Sequence, residues 1–229
     1  MPCDAEPSEL EHAIAVLAGG GLVAFPTETV WGIAADVLQP SAVEHLRHFK
    51  GRDPGQPMSL LIAEPAEAAA LGCALDASAR ALIEAFWPGP ITLVLPVPGL
   101  SSSGVARRVA GLASPDGLLG IRCSAHPVAA ALARAAAAAG IGPLTATSCN
   151  RSGAPAAETR PAAREVCAGD QAPLLLETGD DAHGGPASTV VALGAGSPRI
   201  LRSGAIAEQA IRRVLAHAAG PAGARPAGA

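Results

Sequence analysis

Lys50 is the only lysine in the chain and Asn150 the only asparagine. Lys50 stands beside Arg52 in "KGRDPGQP", a helix end that runs into a stiff Pro/Gly loop. Basic residues there would complement a helix dipole in any protein. A lysine point charge beside an arginine fork also suits a polyphosphate, and the singularity of Lys50 favours that use. In "GIRCSAHP", Arg122 lies inside an apolar strand, where an unpaired guanidinium is very costly. It must meet an anion, whether an internal carboxylate or a ligand. "TATSCNRSG" brings Ser148, Asn150 and Arg151 to a strand end, although its Ser152-Gly153 is ordinary turn chemistry. "GGPASTVV" sets Ser188 and Thr189 ahead of a strand, and "RILRSG" ends one on Arg202. "FPTETVWG" packs Thr27, Glu28 and Thr29 into the point where another buried strand surfaces.

None of these signals is specific alone. Together they gather hydroxyls, an amide and arginines at strand ends, where open α/β sheets bind ligands. No nucleophile–base pair is evident, so the chemistry would rest on positioning and charge stabilisation, as phosphoryl or nucleotidyl transfer does. There is no GxxxxGK[ST] loop, no GxGxxG after a strand and no GxSxG elbow. The six histidines form no metal-ligand pattern, and His45 with His48 reads as a pair on one helix face. A protein-held metal is not expected.

The elements that must position these residues alternate along the chain. Capping boxes at Ser8–Glu11 and Ser41–Glu44 predict two helix starts. "DASARALIEAFW", "HPVAAALARAAAAAG", "PAAREVCAG" and "IAEQAIRRVLAHA" read as further helices. "LVAF", "SLLIA", "ITLVLPV", "LLGIRC", "PLTATSC", "LLLETG", "STVVAL" and "RILRSG" read as strands. This pattern predicts a single α/β domain over residues 8–218, a twisted mixed sheet with helices around it. The Gly/Pro/Ala-rich residues 219–229 read as a disordered tail.

Hydrophobic residues make up 49% of the 229, enough for a sizeable core. A net charge of −4 argues against broad, non-specific nucleic-acid binding. Five widely spaced cysteines without a CxxC pair read as reduced thiols. The acidic N-terminus lacks a basic region before its apolar stretch, and no apolar run reaches membrane-spanning length, so the expectation is a soluble cytoplasmic protein with no membrane partner.

In order, "PTETVWG", "KGRDPGQP", "FWPGPITLVLP", "IRCSAHP", "TATSCNRSG", "STVV" and "ILRSG" resemble the YrdC-like family of threonylcarbamoyl-AMP synthases over roughly Leu10 to Leu215. The resemblance implies a nucleotidyltransferase that combines ATP, L-threonine and bicarbonate and releases pyrophosphate, with Mg²⁺ on the ATP. The product then serves a downstream complex that modifies an adenosine beside the anticodon of certain tRNAs, so contact with tRNA would be indirect. It further implies that Thr29, Arg122 and Ser188 bind threonine, Arg122 through the carboxylate. Lys50, Arg52, Gln56, Ser148, Asn150 and Arg202 would bind ATP, with Lys50 and Arg52 also acting in catalysis. Trp31 stands where the family usually has tyrosine, Leu61 replaces a histidine, and "TSCN" replaces a more common "PSAN".

Two other classes stay open at this point. A non-catalytic RNA-binding module would show a steep salt slope and no ATP turnover, although an aromatic content of 2% disfavours base stacking. A carbamoyl-adenylating enzyme related to hydrogenase maturation would exchange pyrophosphate with carbamoyl phosphate present.

Overall fold

The computed structural model describes residues 6–53, 55–99, 109–194 and 196–218. Its centre is a nine-stranded mixed sheet. The strands are β1 (Val23–Phe25), β2 (Gly32–Ala34), β3 (Ser59–Ile62), β4 (Ile91–Pro96), β5 (Leu118–Cys123), β6 (Leu144–Ser148), β7 (Leu174–Leu175), β8 (Thr189–Ala192) and β9 (Arg199–Arg202). They lie in the order β7-β1-β2-β6-β3-β5-β4-β8-β9. β1–β7, β3–β5 and β4–β8 pair parallel, and the other neighbours pair antiparallel. The α/β fold expected from the alternation is the one found. β2 was not anticipated, because three residues following a polar loop offer too little periodicity to read.

Seven helices are present among the described residues: α1 (Pro7–Ala18), α2 (Pro40–Lys50), α3 (Glu67–Ala70), α4 (Ala77–Phe86), α5 (Pro127–Ala138), α6 (Arg160–Val166) and α7 (Glu208–Ala218). Neither capping box forms. α1 starts at Pro7 after Glu6, and α2 at Pro40 after Gln39, with no side-chain cap at either. A proline at the first helical position lacks an N–H that would otherwise go unpaired there and presets φ, so each helix begins one residue before its serine. Asp76 does cap α4, accepting from Ala79 N at 2.8 Å.

Side chains alternate across the sheet. One face sets Leu60, Ile62, Ile91, Leu93, Ile121 and Val191 against Leu46 and Phe49 of α2, Leu82 of α4 and Ile211 of α7. The other sets Val23, Phe25, Leu61 and Leu144 under Leu17 of α1 and Leu132 of α5. Farther along this second face, β3 to β9 floor an open cavity instead of a helix interface. Among the described residues, no helix is long and apolar enough to cross a membrane. The tail expected at 219–229 lies outside the described residues.

Candidate active site

The floor of the cavity follows from strand register. Leu61 pairs with Arg122, Arg122 with Thr92, Thr92 with Val190, and Val190 with Arg202. Residues in register share a face, so these five form one row across β3, β5, β4, β8 and β9. The row lines a cavity of about 270 Å³, closed by Phe25, Thr27, Trp31, Arg52, Ser148 and Ser188 among others. Among the described residues, its wall contains three arginines, Arg52, Arg122 and Arg202, and no carboxylate. A concave site with that balance selects an anion.

Arg122 is gripped on one side only. Its Nη2 donates to Thr27 Oγ1 at 3.1 Å, Glu28 Oε1 at 3.1 Å and Thr29 Oγ1 at 2.9 Å. The other Glu28 oxygen accepts from Ser124 Oγ. Burial opposes the Glu28 charge, but the Arg122 guanidinium and the Ser124 hydrogen bond outweigh it and hold the carboxyl below its usual range. The three polar residues of "PTET" therefore form a cradle for Arg122. The internal salt bridge, one of the two readings open from sequence, is real. It is also incomplete: Arg122 Nε is buried with no hydrogen-bond partner. Thr27 reaches the cavity wall, whereas Thr29 sits behind it with its hydroxyl on Arg122.

Lys50 and Asn150 meet directly, Nζ to Oδ1 at 2.8 Å. Lys50 Nζ also donates to the carbonyls of Asn150, at 2.9 Å, and of Ser148. The Asn150 amide is filled as well, with Oδ1 accepting from Ser148 Oγ at 2.7 Å and Nδ2 donating to Ala154 O at 2.6 Å. This pair folds the turn after β6 and presents Ser148 to the cavity, while standing behind the wall itself. Burial, followed by the charge of Arg52, pulls the Lys50 pKa down to about 8.

Arg52 lines the cavity, anchored by Pro57 O at 2.6 Å and Gln56 Oε1 at 3.0 Å. Gln56 braces Arg52 and is not part of the wall. At the far end, Arg202 donates to Ser188 O at 2.8 Å and to Ser188 Oγ at 3.1 Å. Ser188 Oγ also pairs with Thr92 Oγ1 at 3.0 Å. Burial, and then the charge of Arg122, lower the Arg202 pKa, as expected for cations that share one cavity.

Of the residues singled out from sequence, Arg52, Arg122, Ser148, Ser188 and Arg202 thus reach the wall. Thr29, Lys50, Gln56 and Asn150 support them from behind. Thr92 and Asp181 were missed. Thr92 carried a signal, since it is the one hydroxyl inside the apolar run "ITLVLP". Asp181 carried none. It accepts from Trp31 Nε1 at 2.7 Å and from Arg160 N at 2.9 Å, which fixes the indole against the cavity. Among the described residues, no group of three or more His, Cys, Asp or Glu side chains gathers as a metal site.

Fold and cavity together define an α/β domain with an arginine-lined cavity on one face of a mixed sheet. The family model described as "Telomere recombination" (Sua5/YciO/YrdC) matches residues 15–204, and the chain belongs to this family. A Mycobacterium leprae relative is 35% identical over 207 residues, covering 90% of this chain and 87% of its own. A Halorhodospira halophila protein named threonylcarbamoyl-AMP synthase is 40% identical over 151 residues, 66% of this chain and 73% of its own. Among solved structures, Pyrococcus abyssi Sua5 complexed with L-threonine superposes with a TM-score of 0.77 at 31% identity. That match covers 91% of this chain, which spans 58% of the archaeal one.

Proposed function

We propose that this protein is an L-threonylcarbamoyladenylate synthase, a nucleotidyltransferase acting on ATP, L-threonine and bicarbonate. The observation that carries this reading is the half-satisfied Arg122. Its guanidinium is held by Glu28 and two threonines through Nη2 alone, while the residue lines a cavity whose described wall has no carboxylate. A bidentate carboxylate fits the open edge of that fork. Relatives named for threonylcarbamoyl-AMP synthesis and a threonine-complexed structure of the same fold support the choice of amino acid.

In this reading, threonine lies with its carboxylate on Arg122, near Thr27 and Ser188, with Thr29 steadying the guanidinium. Its amine adds to bicarbonate, and loss of water leaves a carbamate. A carbamate oxygen then attacks the α-phosphorus of ATP. The bond to the bridging oxygen breaks, and pyrophosphate leaves. Arg52 and Arg202, both on the cavity wall, would neutralise phosphate charge as it shifts to the leaving group. Ser148 offers a hydroxyl to the nucleotide, Gln56 braces Arg52, and Lys50 with Asn150 holds the turn and adds a cation behind it. Mg²⁺ would arrive on the ATP phosphates. The product is a mixed anhydride for transfer by a downstream tRNA-modifying complex, and tRNA itself need not touch this chain.

Pyrophosphate release with ATP and bicarbonate, titrated with threonine, serine or no amino acid, tests the reading. Release should require threonine, and Arg122→Lys should raise that requirement about tenfold to a hundredfold, the worth of one charge-assisted pair. The ATP requirement should move far less. Release independent of threonine, or unchanged in the variant, would reduce Arg122 to a structural ion pair.

A further inference from the structure

The turn that presents Ser148 contains a second, unassigned chemistry. Cys149 Sγ lies 3.8 Å from Cys167 Sγ, and both thiols are free. Cys167 ends α6 and is half-buried, whereas Cys149 is fully buried at the foot of the cavity turn. The backbone of Cys149 is pinned on both sides, its N–H donating to Trp31 O at 2.8 Å and its carbonyl accepting from Ala157 N at 2.9 Å. Lys50 grips the residues directly before and after it. Any covalent change at Cys149 therefore acts on Ser148, Lys50, Asn150 and Trp31 together.

We propose that Cys149 and Cys167 form a peroxide-sensitive thiol pair whose disulfide switches the cavity off. The Cys167 thiolate attacks one oxygen of the peroxide, the O–O bond breaks, and hydroxide or alkoxide leaves. Cys167 is then a sulfenic acid, oxidised by two electrons at the expense of the peroxide. Cys149 sulfur attacks the Cys167 sulfur to form the S–S bond. The sulfenic hydroxyl leaves with the Cys149 proton as water.

The order of events follows from access: Cys149 is fully buried and Cys167 half-buried. Cys167 is the thiol that solvent reaches. The contact with Cys149, with the Arg151 charge nearby, lowers the Cys167 pKa. The same contact and burial push the Cys149 thiol up, so its proton leaves only with the departing sulfenic hydroxyl, as water. Closing the sulfurs from 3.8 Å to the roughly 2.05 Å of a disulfide draws the turn toward α6. That movement loosens the three acceptors that Lys50 now holds.

The existence of the cross-link rests on geometry alone, and only its effect on turnover rests on the function proposed above. The full chain is treated with hydrogen peroxide, remaining thiols are blocked, and peptides are mapped by mass spectrometry. The expected result is a disulfide between Cys149 and Cys167, with Cys73 and Cys123 unmodified. Pyrophosphate release should fall about tenfold, the scale of breaking one charge-assisted hydrogen bond, and dithiothreitol should restore it. Cys167→Ser should keep normal basal release and become peroxide-resistant. Absence of the cross-link overturns the pair. A cross-link with unchanged release, or equal sensitivity of Cys167→Ser, overturns the switch. Untreated protein with no release at all refutes the proposed function instead, while the peptide map still decides the pair.

Discussion

At the scale of single residues, the two residue types that occur once in the chain prove to be each other's partners. Lys50 and Asn150, a hundred positions apart, bond across the turn after β6. Their scarcity was visible in the sequence, but their pairing was not. The Lys50 ammonium has a pKa of about 8 in the fold, lowered first by burial, against about 10.4 in an unfolded chain. The unfolded chain therefore holds a proton between these values that the folded one has released, so stability contributed here rises with pH across that window. Below pH 8 both states hold the proton and the penalty is fully present. Urea unfolding at pH 7.5 and 9.5 should show wild type gaining about 1–2 kcal/mol relative to Lys50→Met. An equal gap at both values would mean that Lys50 stays charged throughout.

At the scale of elements, the site depends on a close approach after β9. A Cβ on Gly204 would collide with the Ala187 carbonyl oxygen and lie 2.7 Å from Thr189 N. Those atoms are backbone and flank Ser188, so they cannot give way cheaply. Gly204→Ala should therefore cost about 1–3 kcal/mol of stability, as overpacking does. It should also raise the threonine requirement, because Ser188 and Arg202 shift together. Gly111→Ala meets nothing within 4 Å and serves as the control. Thermal unfolding and threonine titration of both variants would settle it, and equal behaviour would deny Gly204 its role. The helix starts teach a related lesson. Ser8 and Ser41 looked like caps because their box partners were in place, yet the preceding prolines took the first helical position.

At the scale of the whole molecule, the cavity joins both halves of the sheet. Phe25 and Trp31 reach it beside β1 and β2, while Thr92, Arg122, Val190 and Arg202 reach it from β4, β5, β8 and β9. A ligand bound there braces strands from both sides of the order and should stabilise the fold as a unit. ATP with threonine at about a hundred times the dissociation constant should add about 2.7 kcal/mol, and the unfolding midpoint should rise in one transition. A shift in only part of the transition would show that the two halves unfold separately. With an overall charge of −4, the chain attracts anions only through local arginines. Tight RNA binding with a steep salt slope would favour the non-catalytic alternative.

Composition, alternating elements and the order of seven short motifs were enough to determine the fold class and the family, because each depends on local pattern read along the chain. Arg52, Arg122, Ser148, Ser188 and Arg202 of the wall were legible for the same reason: an arginine in an apolar strand, or hydroxyls and arginines at strand ends, is anomalous where it stands. Which of them line the cavity was decided only in three dimensions. Strand register aligned Arg122 with Thr92 and Arg202, and the "PTET" cradle took Arg122 by Nη2 alone. Lys50, Gln56 and Asn150 were drawn behind the wall, and Cys149 was set against Cys167. Such pairings join residues up to about a hundred positions apart, and their geometry arises only when the sheet closes over its two cores.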